Sequence, residues 1–125
     1  MKQYYQSRNS EWKLEPVIYA KTVKQIQCYR FFQDIVRTVS AMSPAKIRKR
    51  DITNKLVAQR YIKAIENGLL YIPEEYREAV FLHAVDQVEY KTLERRFYLT
   101  ERSIKRYVQV YVWGVAEELG ENFKT

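Results

Sequence analysis

The side chains best equipped for chemistry lie near the C-terminus, in the run Thr100-Glu101-Arg102-Ser103-Ile104-Lys105-Arg106. Arg102 and Arg106 are four positions apart, so on a helix they share one face. Each guanidinium presents a planar fork of donors, which matches the two acceptors on a guanine edge or the oxygens of a phosphate. Glu101 accepts hydrogen bonds and Ser103 both donates and accepts, which suits them to other base edges. Glu101, Arg102, Ser103 and Arg106 are therefore base-reading candidates. Lys105, Lys91, Arg95, Arg96, Tyr98 and Thr100 flank them and suit phosphate contacts, which position a duplex without reading it.

No set of residues suits bond-making. His83 is the one histidine and Cys28 the one cysteine, so the usual nitrogen and sulfur ligands of a zinc site are lacking. Gly68, Gly114 and Gly120 are too far apart for a phosphate-cradling loop. Glu74-Glu75 and Glu117-Glu118 read as helix-end and surface pairs. The expectation is a protein that is not an enzyme and needs no cofactor or metal.

Three helices must position the C-terminal run. Pro73 suits a first helical position, with Glu74 and Glu75 opposing the helix dipole behind it. Tyr76, Val80 and Ala84 are spaced by four and carry an apolar face that fades near Asp86 and Gln87. A short helix fits Tyr90 to Phe97, with Tyr90, Leu93 and Phe97 inward. Tyr98-Leu99 makes a turn, and the Thr100 hydroxyl is a good N-cap. The last helix carries the stripe Ile104, Tyr107, Val108, Tyr111, Val112, Val115 and Leu119, and Gly120 stops it. A short turn into a helix with Arg102 and Arg106 in its opening turns is how a helix-turn-helix offers a recognition helix to the major groove of double-stranded DNA.

This stretch resembles region 4 of the sigma-70 family in its extracytoplasmic-function form. Ile72-Pro73, Arg77, Val80 and Leu82 echo the first helix of that pattern. Glu89-Tyr90 and Leu93 echo the second, and Phe97-Tyr98-Leu99-Thr100 with Ser103-Ile104-Lys105-Arg106 the third. There are three departures. Glu89 stands where a capping serine is usual, and Glu94 where a small residue lets the helices touch, which implies looser packing. Tyr98 stands where the turn glycine is usual, so a positive φ there would be strained and the turn is expected to differ in detail. The likeness spans fifty residues of 125 and shows no sigma region 2. The overall build is similar to small phage proteins of the ArpU and RinA type, late-gene activators with such a motif at the C-terminus of a short basic helical chain. The resemblance implies a sequence-specific transcription regulator, phage or prophage encoded. If it extends to mechanism, RNA polymerase is a second partner.

The rest of the chain is consistent with an all-α fold of four to five helices. Hydrophobic residues make up 46%, enough for a core, and three glycines with three prolines leave little room for the turns of a β fold. Net charge of +7 and pI near 9.5 favour nucleic acid over membrane as a partner. No apolar run approaches a membrane span, and a single cysteine suits a reducing cytoplasm. Residues 1–15 read as an irregular N-terminal arm with Tyr4, Tyr5 and Trp12, either loose or lying on the body. Residues 16–71 form a helical region, and 72–121 the DNA-binding unit.

One long helix is expected from Pro16 to about Ala41, apolar over more than one stripe through Cys28, Phe31 and Ile35. Such a helix sits centrally or packs on a second chain, so a homodimer is a candidate partner state, with Val110 and Trp113 on the last helix at its interface. Ser43 is a candidate cap, and Asp51 to Asn67 is helical with Leu56, Ile62 and Ile65 inward and Gly68 ending it. Lys46, Arg48, Lys49 and Arg50 open the densest charge, seven basic residues against one acid between Lys46 and Lys63. That run is a solvated face or a phosphate-contacting patch. Most tyrosines, including Tyr29, Tyr76, Tyr107 and Tyr111, are expected in the core. Two rival functions stay open, a phage small terminase subunit that marks DNA for packaging and a protein-interaction module.

Overall fold

The computed structural model describes Gln6 and residues 11–121. Among these residues the protein is all-α, with six α-helices and no strand. They are α1 (Pro16–Gln27), α2 (Tyr29–Ser40), α3 (Lys49–Asn67), α4 (Glu74–Asp86), α5 (Tyr90–Phe97) and α6 (Glu101–Glu118). Short 3-10 turns lie at Pro44–Lys46 and Gly68–Tyr71.

The sixth helix arises because the expected long helix is broken. Cys28 has ψ 6°, and its N–H is shared between the carbonyls of Lys24 and Gln25 at 3.2 and 3.1 Å. This local tightening ends α1, and the Phe32 N–H on the Cys28 carbonyl restarts the chain as α2. No proline or glycine lies there. The break falls where packing partners change, since α1 packs on α4 and α6 whereas α2 packs chiefly on α3. Helices α2 and α3 thus form a hairpin on the side of the body. Phe32 stacks on Tyr61 at 4.9 Å, and the Tyr29 hydroxyl donates to Glu66 at 2.6 Å.

The central helix is α6, whereas the first helical stretch, expected either to sit centrally or to pack on a second chain, is divided between α1 and α2. Helix α6 packs on α1, α3, α4, α5 and the Gly68–Tyr71 turn. Ile104, Tyr111, Val115 and Ala116 are wholly buried in one core with Ile26, Ile65, Val80 and Leu93. Tyr29 and Tyr111 are buried as expected, while half-buried Tyr76 and Tyr107 face each other at 4.5 Å. Val110 is buried and so is not open to the interface it was a candidate for, while Trp113 is half-buried, packed on Trp12 at 4.9 Å and Tyr71 at 6.0 Å. The described part of the arm lies on the body, with Leu14 in the core and the Gln6 amide exchanging two hydrogen bonds with its backbone. Tyr4 and Tyr5 lie outside the described residues.

Gly68 follows α3 in ordinary right-handed conformation, so its freedom is not used as a helix stop. Its role is close approach. A Cβ there would lie 2.5 Å from Val115 Cγ2. Likewise, a Cβ on Gly114 would lie 2.7 Å from the ring of Tyr71, which is itself held by Trp113 and by donating its hydroxyl to Glu118 at 2.8 Å. Glycine to alanine inside a helix normally gains up to about 1 kcal/mol. Here overpacking outweighs that gain, and Gly114→Ala is expected to lower stability by about 1–3 kcal/mol in denaturant unfolding.

Candidate nucleic-acid interface

Helices α4, α5 and α6 are joined by two turns of one kind. Gln87 ends α4 and Tyr98 ends α5, both at φ +57° in the left-handed region. At the first, the Gln87 N–H bonds the His83 carbonyl and the Val88 N–H bonds the Leu82 carbonyl, which satisfies the last turn of α4. The His83 ring nitrogen Nδ1 lies 2.8 Å from the Val88 carbonyl, and the ring stacks on Tyr90 at 4.0 Å. Its place in the helix junction is structural.

At the second turn the sequence departures find physical uses. Tyr98 does take the positive φ that a glycine would supply, with its N–H on the Glu94 carbonyl at 2.9 Å. Glu94 does not hold the helices apart, because Leu93 and Ile104 are wholly buried beside it. Its carboxylate instead accepts from the Glu101 N–H at 2.7 Å and so satisfies a free donor at the start of α6. Thr100 caps α6 as expected. Its hydroxyl oxygen accepts from the Ser103 N–H at 3.2 Å and donates to Ser103 Oγ at 2.9 Å.

These contacts sort the candidate side chains. Glu101 and Lys105 form an i,i+4 pair at 2.8 Å, with the Lys105 ammonium 5.3 Å from the Tyr90 ring. Burial pushes the Tyr90 hydroxyl up to about 12, with the Glu101 charge adding to it, so Lys105 faces a neutral ring at physiological pH. Both members of the pair face α5. Such an exposed pair is worth only about 0.3–0.5 kcal/mol and opens readily for a ligand. Ser103 is engaged in the cap. Arg102 and Arg106 remain exposed, and neither has a carboxylate partner among the described residues. Arg106 rests its guanidinium 5.6 Å from the Tyr107 ring.

On α5, Lys91 and Arg95 are exposed and four apart. Arg96 lies over Phe97 at 5.3 Å and 3.9 Å from Glu78. Tyr98 is 92% exposed, so its strained backbone brings no packing in return. The α5 turn and the start of α6 thus bring Arg95, Tyr98 and Arg102 to one end of the molecule.

Lys46, Arg48, Lys49 and Arg50 do not join that end. They are exposed at the tip of the α2–α3 hairpin, where the Asp51 carboxylate accepts from the Arg48 N–H at 3.0 Å. Helix α3 is hydrogen-bonded to the C-terminal half of α6, through Tyr111 to the Ile65 carbonyl, Asn67 to Glu118 and Arg60 to the Leu119 carbonyl. From the Arg60–Leu119 contact, Arg102 lies roughly 25 Å back along α6 and Lys49 roughly 16 Å back along α3, at 1.5 Å per residue. No family model, curated protein or solved structure matches the chain.

Proposed function

We propose that the chain is a sequence-specific double-stranded DNA-binding regulator of transcription, with α6 as its recognition helix. The observation that carries this reading is the pair Arg102 and Arg106, exposed and without carboxylate partners in the opening turns of a capped helix. Both guanidinium groups lie on the side away from the core, where an edge with two acceptors could be gripped. Lys91, Arg95 and Arg96 would clamp phosphate on one side, with Lys105 released from Glu101 as a further cation. The resemblance to sigma region 4 supports the same arrangement and makes RNA polymerase a second proposed partner, in a phage or prophage setting.

Selection of bound duplexes from a random pool tests the reading. Enrichment of a common sequence is expected, and a pool that stays random after several rounds would reject it. Tyr98 supplies a sharper check. Glycine relieves the left-handed strain, so Tyr98→Gly is expected to raise stability by on the order of 1 kcal/mol. The same variant is expected to weaken binding to the selected duplex severalfold, because the exposed ring would be lost from the interface. A variant both more stable and equally tight would remove Tyr98 from the interface.

A further inference from the structure

The hairpin carries features that the DNA reading does not use. Seven large hydrophobic side chains are exposed among the described residues, and four of them, Phe31, Ile52, Leu56 and Val57, are on α2 and α3. Leu56 was expected inward but is 61% exposed, while Ala58 and Ile65 take the buried side of α3. Ile52, 50% exposed, lies one turn before Leu56 on the same outward stripe. Lys49, Arg60 and Lys63 complete this stripe, and all three are exposed. None of the three has a carboxylate partner among the described residues; Arg60 donates to the Leu119 carbonyl at 2.8 Å. The nearest acids in sequence are both engaged: Asp51 accepts from the Arg48 N–H at 3.0 Å, and Glu66 accepts from the Tyr29 hydroxyl at 2.6 Å.

We propose that this outward stripe of α3, Lys49, Ile52, Leu56, Arg60 and Lys63, docks an acidic amphipathic helix of a partner protein. The choice of occupant follows from charge and apolarity together. Duplex DNA would pair with the cations but would leave Ile52 and Leu56 against phosphates, with no gain from their burial. A second copy would bring a second strongly basic hairpin against the first, at a repulsive cost. An acidic helix with an apolar seam satisfies both, its leucine-type side chains covering Ile52 and Leu56 and its carboxylates meeting Lys49, Arg60 and Lys63. The stripe is roughly 21 Å long, the length of a four-turn helix. This inference is independent of the DNA reading, because it concerns α3 and none of the α5 and α6 side chains on which that reading rests.

The test uses the full chain and two labelled synthetic peptides of equal composition, each about four turns long. One orders its leucines into a single seam flanked by glutamates, and the other scrambles them. In fluorescence anisotropy at physiological salt, the ordered peptide is expected to bind about tenfold more tightly than the scrambled one. The double change Ile52→Ser with Leu56→Ser is expected to bring it down to the scrambled level. Both side chains are exposed, so thermal unfolding of that variant should match the parent chain. Equal binding of the two peptides would reduce the effect to bulk charge and overturn the proposal. So would a double variant that binds as the parent does. Sedimentation in which the parent self-associates and the double variant does not would give the stripe to a second copy. Loss of duplex DNA affinity in the double variant, equal to its loss for the ordered peptide, would give it to nucleic acid.

Discussion

Tyr111→Ala is expected to lower the unfolding free energy by about 3–5 kcal/mol, the range for removing a buried aromatic side chain. The ring is wholly buried in the middle of α6, against the Gly68 backbone. Its hydroxyl donates to the Ile65 carbonyl at 2.8 Å, which ties the last turn of α3 to the central helix. Burial drives its ionisation far above the ordinary tyrosine range, so it remains a donor at any working pH. A domain of this size has roughly 5–15 kcal/mol in all, so the alanine variant should stand near the edge of folding. Tyr111→Phe keeps the ring and loses only the hydrogen bond. It is expected to cost about 1–3 kcal/mol, mostly for leaving the buried Ile65 carbonyl without its donor. Denaturant midpoints measure both. An alanine variant within about 1 kcal/mol of the parent would contradict a core built around α6.

Arg102→Ala and Arg106→Ala should each weaken binding to the selected duplex by about 1–3 kcal/mol. The loss on random duplex should be much smaller, because a base contact carries sequence information and a phosphate contact does not. Neither side chain belongs to the core, so unfolding should be unchanged. A contrasting result is expected at the hairpin tip. Arg48, Lys49 and Arg50 lie away from the α5–α6 end, so changing all three to alanine should leave the ratio of selected to random affinity intact. Any loss should be shared by both DNAs and diminish with salt, as expected of long-range charge. A lowered ratio would mean that the hairpin tip reads sequence.

The helices that carry the candidate interface were legible because their signals are local. The Thr100 cap, the Gly120 stop at φ +71° and the stripe from Ile104 to Leu119 each depend on neighbours within a turn or two. What depended on distant partners was not legible. The break at Cys28 has no glycine or proline to announce it and reflects a change of packing partner. Leu56 suggested an inward leucine, yet at 100° per residue it lies roughly 120° from Ile62 and roughly 180° from Ile65. No one face holds all three, and the buried face is set by contact with α2. Gly68 read as a helix stop and Gly114 carried no signal beyond excluding a phosphate loop, whereas each admits a close neighbour from elsewhere in the chain. Among the site candidates, exposure of Arg102 and Arg106 followed from the stripe opposite them. The engagement of Glu101 by Lys105 and Glu94, and of Ser103 by Thr100, needed the geometry of the turn.

The central claim is that α6 reads DNA through Arg102 and Arg106. Its most direct test is a fluorescence titration of the parent chain and the Arg102→Ala, Arg106→Ala double variant against the selected duplex and a shuffled one, at fixed salt. The parent should prefer the selected duplex, and the double variant should lose most of that preference while keeping its weak affinity for the shuffled one. An undiminished preference in the double variant, or equal losses on both duplexes, would contradict the account.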